Sequence, residues 1–301
     1  MASFRNFIYC RYVRMARQSV VNTNKQNDIP LLRKGMEGIM ARLQMPNGVH
    51  FSRFNVNGIP AARFKPQKAN ENIVMLYFHG GAYALGSVQT HKTLIARIAR
   101  KAGIYALAID YRLAPEHPFP AALDDAILAY KWLLDKKYSP KNIIFAGDSA
   151  GGGLSLAAIL KLKEENLPLP AAAICLSPWT DLLATGNSMQ EKAHIDPMLA
   201  PKLVHHFADM YAKQQNKQNP YISPLYGDFS DFPPIFIQVG TSEILLDDAK
   251  RLATKARQAG VEVELEIWDE MPHVWQACGP YLPESRKAIA SIAEYINKNI
   301  T

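Results

Sequence analysis

The sequence predicts an α/β fold, with a mostly parallel central sheet, helices on both faces and a helical cap. The strand-like segments are continuous apolar runs, which is typical of strands buried on both faces. Helical segments lie between these runs, as they do in a series of βα units. With 301 residues and 48% apolar content, the chain can bury one large core. We therefore interpret residues 1–301 as a single domain with a cap.

The strands are predicted where an apolar run ends at a glycine, an aspartate or another turn residue. The predicted strands cover residues 74–78, 104–109, 143–145, 172–176, 235–239 and 261–267. The predicted helices cover residues 31–43, 90–102, 121–136, 154–162, 247–259 and 284–299.

Two segments do not fit this alternation. One extends from the start to about residue 50, and the other, at about 185–225, is polar, rich in Met, His and Gln, and without a strand candidate. Insertions of this kind tend to cover the functional site of an α/β domain. We therefore expect a cap built from about 1–50 and 185–225.

Cysteine content and hydropathy indicate a cytoplasmic location. Cys10, Cys175 and Cys278 are an odd number, far apart and without metal-ligand spacing, so free thiols in a reducing compartment are expected. No apolar run approaches the roughly 18 residues that a membrane span requires. No bound metal and no cofactor are expected.

The positive charge is concentrated near the start of the chain. The net charge is +7, and residues 1–27 hold five basic residues and no acidic one. This segment could contact an anionic lipid surface or an acidic partner, but a solvated face of a cap helix is the favoured interpretation. Nucleic-acid binding is disfavoured because no aromatic residues are interleaved with the basic ones.

A serine between glycines directly follows one predicted strand. Ser149 lies between Gly147 and Gly151, at a turn that only small neighbours allow. Such a strand-turn-helix element presents a nucleophilic hydroxyl at the top of a sheet. The sequence therefore predicts Ser149 as a nucleophile.

Glycines after the strand at 74–78 predict donors for the oxyanion that forms during acyl transfer. Glycine lets a backbone N–H approach a ligand without a Cβ in the way. The predicted donors are the N–H groups of Ala150 and Gly81, together with that of either Gly80 or Ala82.

A general base and an acid are predicted in the last third of the chain. Among eight histidines, His273 follows the last predicted strand, where a loop can reach the carboxyl edge of the sheet. The adjacent pair His205 and His206 is assigned to a cap-helix surface and not to a metal site. Glu243 follows the strand at 235–239 and is favoured as the acid over Asp247, which begins the next helix.

These residues resemble the hormone-sensitive-lipase-like family of α/β-hydrolase carboxylesterases. The resemblance rests on the motifs at residues 79–83, 110–121 and 147–152 and extends from about residue 56 to the end. It implies an α/β-hydrolase fold, Ser149 as the nucleophile and His273 as the base. Two departures are Glu243, where the family usually has aspartate, and Ala82 in place of a third glycine. A branch similar to bacterial esterases and monoterpene lactone hydrolases is nearest.

The resemblance implies a serine carboxylesterase that hydrolyses short- to medium-chain acyl esters through an acyl-enzyme. A lactone or amide hydrolase with the same triad is an alternative. A ligand receptor of the same fold is a second alternative, disfavoured because plant gibberellin receptors resemble this family but lack the histidine. The partner is then a small ester, and a homodimer through the last strand edge is expected by resemblance.

Structural roles are predicted for the remaining polar residues of the motifs. Arg112, Glu116 and Asp124 are expected to form a charged network under the site, because buried charges persist only when they are paired. His79 is expected to support the oxyanion loop. Asp148 is expected to point away from the substrate and to hydrogen-bond a neighbouring loop.

Overall fold

The computed structural model describes residues 2–22 and 27–300, and its centre is one eight-stranded sheet. In chain order the strands are β1 (Val49–Val56), β2 (Ile59–Pro66), β3 (Asn70–Phe78), β4 (Ile104–Ile109), β5 (Ile143–Asp148), β6 (Ala172–Leu176), β7 (Ile235–Gly240) and β8 (Val263–Trp268).

The helices cover both faces of the sheet and the region above one edge. In chain order they are α1 (Phe4–Asn22), α2 (Ile29–Met40), α3 (Val88–Ala102), α4 (Ala121–Asp135), α5 (Ala150–Glu164), α6 (Ser188–Glu191), α7 (Pro201–Ala212), α8 (Leu246–Gln258) and α9 (Pro283–Asn299). Short 3₁₀ segments lie at Pro140–Asn142, Pro224–Tyr226 and Trp275–Tyr281.

The spatial strand order is β1-β2-β4-β3-β5-β6-β7-β8. All pairs from β4 to β8 are parallel, and β1 and β2 join the edge in antiparallel pairing. This mostly parallel sheet is the α/β-hydrolase fold that the sequence predicted, and the fold class is confirmed.

Alternate side chains of each central strand contact opposite helical layers. Leu76 belongs to the core cluster that includes residues of α4, α5 and α8, whereas Met75 and Tyr77 belong to the cluster that includes residues of α3 and α9. Both faces of β3 are therefore buried, which explains why the central strands are continuous apolar runs. The parallel strands end at one edge of the sheet, where the loops after β3, β5, β7 and β8 meet.

The antiparallel hairpin β1–β2 is the main element that the sequence prediction missed. Its strands mix less exposed apolar residues with exposed polar ones, such as Arg53 and Arg63, because the hairpin lies at the sheet edge. The search for continuous apolar runs therefore passed over it.

Local capping explains where two of the helices begin. Ser87 and Thr90 form a reciprocal capping box at α3, and Gly103 ends this helix with a left-handed backbone. Asp28 caps α2 by accepting a hydrogen bond from the N–H of Leu31. No helix in residues 2–22 and 27–300 is long and apolar enough to cross a membrane.

Candidate active site

Ser149 occupies a strained turn between β5 and α5. Its backbone has φ +53° and ψ −120°, a conformation rare for a residue with a side chain. A Cβ on Gly147 would lie 2.3 Å from the Gly151 backbone, and one on Gly151 would lie 2.0 Å from the Phe78 carbonyl oxygen. The two glycines are therefore required by close backbone contacts, and the turn directs Ser149 into a cavity above the sheet.

His273 lies beside Glu243 above the ends of β7 and β8. His273 Nδ1 and Glu243 Oε2 are 2.7 Å apart, and both side chains are buried. Burial alone would lower the pKa of His273, but the hydrogen bond and charge of Glu243, with weaker effects of Asp196 and Asp148, raise it above its ordinary value. The structure thus gives His273 the kind of carboxylate partner that orients a general base.

The second oxygen of Glu243 is held by residues that the sequence analysis did not single out. Glu243 Oε1 accepts hydrogen bonds from Ser177 Oγ at 2.8 Å and from Gly240 N–H at 2.7 Å. Ser177 Oγ in turn accepts one from Val274 N–H, next to His273. No sequence motif marks Ser177, because it follows β6, far from Glu243 in the chain.

The competing acid, Asp247, lies in the first turn of α8, where the sequence placed it. Its carboxylate accepts a hydrogen bond from Ser188 N–H and forms no hydrogen bond with His273 within the described residues. The neighbouring Asp248 binds the N–H groups of Thr180 and Asp181. The geometry therefore favours Glu243 over Asp247 as the partner of the histidine.

Of the two alternatives for an oxyanion donor, the geometry disfavours Gly80. The Gly80 N–H already donates to Asp148 Oδ1 at 3.1 Å, so it is engaged inside the protein. Within the described part of the chain, the N–H groups of Gly81, Ala82 and Ala150 have no acceptor. Gly81 and Ala82 have φ of +120° and +54°, in the left-handed region. These three N–H groups remain as the candidate donors.

Asp148 anchors the glycine loop, as predicted. Besides Gly80 N–H, its Oδ1 accepts from the Tyr77 hydroxyl at 2.7 Å, and its Oδ2 lies 3.2 Å from His91 Nε2. Although burial opposes the charged form, the charge and hydrogen bond of His91 and the bond from Tyr77 lower the pKa of Asp148 below its ordinary value. His91 was not identified from sequence, because nothing in helix α3 points to a partner beside Ser149.

His79 supports the same loop from below, which agrees with its predicted role. Its ring stacks on Tyr111 at a centroid distance of 4.3 Å, and the Tyr111 hydroxyl donates to the His79 carbonyl oxygen. Burial, followed by the charge of His91, lowers the pKa of His79 to about 4, so the ring is neutral near pH 7.

The predicted charged network of the 110–121 motif was wrong in its pairings. Arg112 pairs with Asp125 and not with Asp124, at 2.8 Å between Nη2 and Oδ1. Glu116 instead pairs with Arg33 of α2 at 2.8 Å on both oxygens. The Arg112 side chain is half-exposed while Asp125 is buried, so this pair lies between the core and the surface. Arg112 pairs with Asp125 because consecutive residues of α4 face different directions. Asp125 is buried and faces Arg112, whereas Asp124 is exposed.

A cavity of about 820 Å³ lies over Ser149 and His273. Most of its lining is apolar and comes from α1, α2, α7 and the segment around Trp275–Tyr281. Ser149 Oγ and His273 form no hydrogen bond within the described residues, a contact that is often long in a ligand-free site. The predicted cap segments thus contribute the walls above the serine.

A second pocket, of about 770 Å³, lies over α8 near Asp247 and Arg251. It contains neither Ser149 nor His273, and its lining includes exposed ionic side chains. The apolar cavity over Ser149 is therefore the candidate substrate site.

Asp196, in the loop between α6 and α7, is a buried carboxylate near the site. It accepts hydrogen bonds from the N–H groups of Met198 and Leu199, and from that of Ile244 beside Glu243. Burial raises its pKa to about 6 despite these bonds. This carboxylate links the 185–225 segment to the loop that carries the acid.

The neighbouring pair His205 and His206 lies on α7, with His205 exposed and His206 half-buried, as expected for a helix surface.

Comparison with known proteins agrees with this fold. A family model described as alpha/beta hydrolase fold matches residues 75–277. An acetyl-hydrolase of Streptomyces hygroscopicus is 45% identical over 215 residues, which are 71% of this chain and 72% of that protein. An esterase of Acinetobacter venetianus is 36% identical over 239 residues, 79% of this chain and 78% of that protein.

Two solved structures are similar over most of their length. A crystal structure of an esterase from the bacterial hormone-sensitive lipase family has a TM-score of 0.88 and 46% identity, covering 89% of this chain and 91% of that one. A hormone-sensitive lipase from a metagenome library has a TM-score of 0.92 and 36% identity, with full coverage of both chains.

The mostly parallel sheet and the matching family model define the class as an α/β-hydrolase. Within that class, the chain belongs to the hormone-sensitive-lipase-like family of carboxylic ester hydrolases. The resemblance drawn from the motifs at 79–83, 110–121 and 147–152 is confirmed.

Proposed function

We propose that this protein is a serine carboxylesterase that hydrolyses short- to medium-chain acyl esters through an acyl-enzyme. The observation that carries the proposal is the 2.7 Å contact of His273 with Glu243 in the cavity that Ser149 enters. The relatives called acetyl-hydrolase and esterase support the same reaction class.

Ser149, His273 and Glu243 supply the proton transfers. Ser149 Oγ attacks the ester carbonyl while His273 Nε2 takes its proton, and Glu243 stabilises the imidazolium through Nδ1–H. His273 then protonates the leaving alcohol, which departs as the acyl group stays on Ser149. A water molecule, deprotonated by His273, attacks the acyl-enzyme carbonyl, and His273 returns this proton to Ser149 Oγ as the acid leaves.

The free N–H groups of Gly81, Ala82 and Ala150 are the proposed oxyanion donors. Backbone donors fixed in advance stabilise the tetrahedral intermediate without reorganisation, and one lost donor costs about 2.7–4 kcal/mol in a serine protease. Ala82 keeps this donor although it carries a methyl group where the family has glycine.

The apolar cavity supports acyl esters as substrates. Its walls include Trp179, Phe207 and Leu245 but few charged groups, which favours an uncharged acyl or alcohol chain. The same triad would hydrolyse lactones or amides, and a substrate panel distinguishes this alternative from the carboxylesterase proposal. The receptor alternative is disfavoured by the intact pairing of His273 with Glu243.

A chain-length series of p-nitrophenyl esters, from acetate to laurate, tests the proposed substrate class beside a small panel of lactones and anilides. We expect the highest kcat/KM at short to medium acyl chains and a kcat at least about 10³-fold lower in the Ser149→Ala variant. Faster turnover of lactones than of every linear ester would replace the carboxylesterase assignment with the lactonase alternative.

We also propose that α1, α2 and the 185–225 segment form the cap of one domain, since side chains of α1, α2 and α7 line the cavity. Arg33 of α2 donates to the carbonyl oxygens of Ala84 and Ala114, which ties this segment to the loops after β3 and β4. A homodimer through the outer edge of β8 is a further proposal, tested by light scattering during gel filtration.

We further propose a cytoplasmic location. We also propose a peripheral lipid contact through the basic N-terminal segment. Cys10, Cys175 and Cys278 are all unpaired, as a reducing compartment would keep them. Fractionation of cells that produce the tagged protein separates a cytosolic pool from a membrane-associated one.

A further inference from the structure

Large apolar side chains are exposed mainly on α1, on α2 and at Tyr281, which belong to elements that line the substrate cavity. In the described part of the chain, ten such side chains are exposed, and only Leu128 and Ile267 lie away from the cap segments and Tyr281. The other eight are Phe4, Phe7, Ile8, Tyr12, Met15, Leu31, Ile39 and Tyr281. Such a concentration on one side of a protein marks an interaction surface.

Helix α1 carries the centre of this surface. Phe4, Phe7 and Met15 are 76%, 62% and 64% exposed, and their spacing places them on one side of the helix. None of these three lines the cavity, whereas Ile8 and Tyr12 of the same helix do. The outward face of α1 therefore has no role in enclosing the site.

The same helix carries positive charge that no carboxylate of the described residues neutralises by an ion pair. Arg14 donates to the Ile195 carbonyl oxygen, Arg17 to those of Ala193, Asp196 and Leu199, and Arg5 to that of Tyr281. Because these acceptors are uncharged carbonyl oxygens, the hydrogen bonds hold the arginine side chains in place without neutralising their positive charge.

Acidic groups near α1 contact its N-terminal end and not its arginines. Glu270 accepts from Ala2 N–H, and Glu284 accepts from the N–H and hydroxyl of Ser3. Arg11 is exposed within the apolar face itself. Exposed apolar side chains next to cations are complementary to the surface of an anionic membrane.

We propose that the outward face of α1 docks on an anionic lipid surface, with Phe4, Phe7 and Met15 entering the interface. This inference rests on the proposed esterase function, because the cavity mouth opens at the same surface. Ile8, Tyr12, Ile39 and Tyr281 are both exposed and part of the cavity lining. An ester dissolved in the lipid would therefore reach Ser149 without crossing water.

A second copy of this chain fits the surface less well than lipid does. A two-fold contact through α1 would bring two sets of arginines together, and like charges at an interface disfavour association. An anionic lipid surface instead complements both the apolar face and the charge.

Vesicle sedimentation tests the docking directly. The wild-type protein is mixed with vesicles of phosphatidylcholine alone or with 30% phosphatidylglycerol, at low and high salt. We expect binding to the anionic vesicles, at least tenfold weaker on the neutral ones, and release by 0.5 M NaCl. Equal binding to both vesicles, or no binding, would overturn the proposal.

Paired substitutions identify the surface responsible. Phe4→Ser with Phe7→Ser should weaken vesicle binding at least about tenfold, because each phenyl ring loses its burial in the interface. Leu128→Ser with Ile267→Ser is the matched control, since it removes exposed apolar side chains elsewhere. Loss of binding in the control, or retention in the α1 variant, would contradict the role of α1.

Hydrolysis of p-nitrophenyl acetate without vesicles separates docking from catalysis. The Phe4→Ser/Phe7→Ser variant should keep wild-type kcat/KM on this ester, which also shows that it is folded. Wild-type protein that hydrolyses the ester but does not bind vesicles would refute the docking proposal and leave the proposed function intact. Vesicle binding without hydrolysis would refute the proposed function alone. A dimer that disappears in the α1 variant would assign the surface to self-association and overturn the lipid proposal.

Discussion

The carboxylate of Glu243 has a partner at each oxygen. Ser177 and Gly240 hold Oε1, and His273 binds Oε2. With both oxygens occupied, the carboxylate cannot rotate away from the imidazole without losing buried hydrogen bonds. At the scale of single residues, the site therefore depends on a buried chain of contacts and not on Ser149 alone.

Replacing Glu243 should affect catalysis much more than replacing Asp247. In Glu243→Gln the amide keeps only one acceptor oxygen, so it cannot accept hydrogen bonds both from His273 Nδ1–H and from Ser177 and Gly240. His273 therefore loses its orientation and the stabilisation of its cationic form. We expect kcat to fall by about 10²–10⁴-fold. Asp247→Asn is the matched control and should stay within a few-fold of wild type. Steady-state kinetics on p-nitrophenyl butyrate measure both, and a collapse of kcat in Asp247→Asn alone would make Asp247 the acid.

Removing the Ser177 hydroxyl should lower kcat and leave KM nearly unchanged. Glu243 Oε1 then loses one donor and Val274 N–H loses its acceptor, at a cost of about 1–3 kcal/mol in unfolding free energy. Ser285→Ala is the control, because Ser285 is equally buried but bonds the Gln276 carbonyl oxygen away from the site. Urea denaturation measures the loss of unfolding free energy, and steady-state kinetics measure kcat and KM. Equal stability losses with an unchanged kcat in Ser177→Ala would show that Ser177 has only a structural role.

Helices and strands position these residues through a few close backbone approaches. The turn from β5 to α5 brings Gly151 against Phe78 at the end of β3, so the nucleophile and the glycine loop are held together. Asp148 at the end of β5 binds Gly80 across the same gap. At the scale of elements, the oxyanion loop and the serine turn are one unit.

The Gly151→Ala substitution tests this close approach. The added methyl group would lie 2.0 Å from the Phe78 carbonyl oxygen, so β3 and α5 must separate. We expect a loss of at least about 2 kcal/mol in unfolding free energy together with a lower kcat. Gly38→Ala in α2 is the matched control, since no atom lies within 4 Å of its Cβ, and it should be neutral or stabilising by about 0.5–1 kcal/mol. Wild-type stability and activity of Gly151→Ala would contradict the geometry.

At the scale of the whole molecule, the activity depends on pH through the protonation state of His273. Its pKa is raised, and only the neutral imidazole accepts the serine proton, so kcat/KM should rise with pH through this raised value. The contribution to stability has the opposite sign. It is fully present below the ordinary histidine pKa and is lost as the pH rises through the folded-state value.

The pH profile of Glu243→Gln provides the check. Without the carboxylate, burial would dominate and lower the pKa of His273, so the acid limb of kcat/KM should move to lower pH. Asp196 and Asp148 also act on His273, and they remain in this variant. An acid limb that stays in place would show that Glu243 does not set the protonation of the base.

The sequence predicted most of the sheet because its central strands are buried on both faces. The ranges 104–109 and 172–176 agree with β4 and β6, whereas the edge hairpin β1–β2 alternates in polarity and was missed. Ser149 was found because a strained turn restricts its neighbours to small residues.

Contacts between distant segments were the part that the sequence could not provide. Ser177, directly after β6, and His91, in α3, join the site, and no local pattern marks either one. The choice between Gly80 and Ala82 as an oxyanion donor depends on whether Asp148 already uses the Gly80 N–H, which only the folded geometry decides.

The most direct test of the acyl-enzyme account is to identify the residue that carries the acyl group. A fluorophosphonate probe is reacted with the wild type and with Ser149→Ala, and labelled peptides are sequenced by mass spectrometry. We predict one label per chain, on Ser149, with no labelling of Ser149→Ala and a kcat at least about 10³-fold lower on p-nitrophenyl acetate. A label on another residue, or hydrolysis by Ser149→Ala at the wild-type rate, would contradict the account.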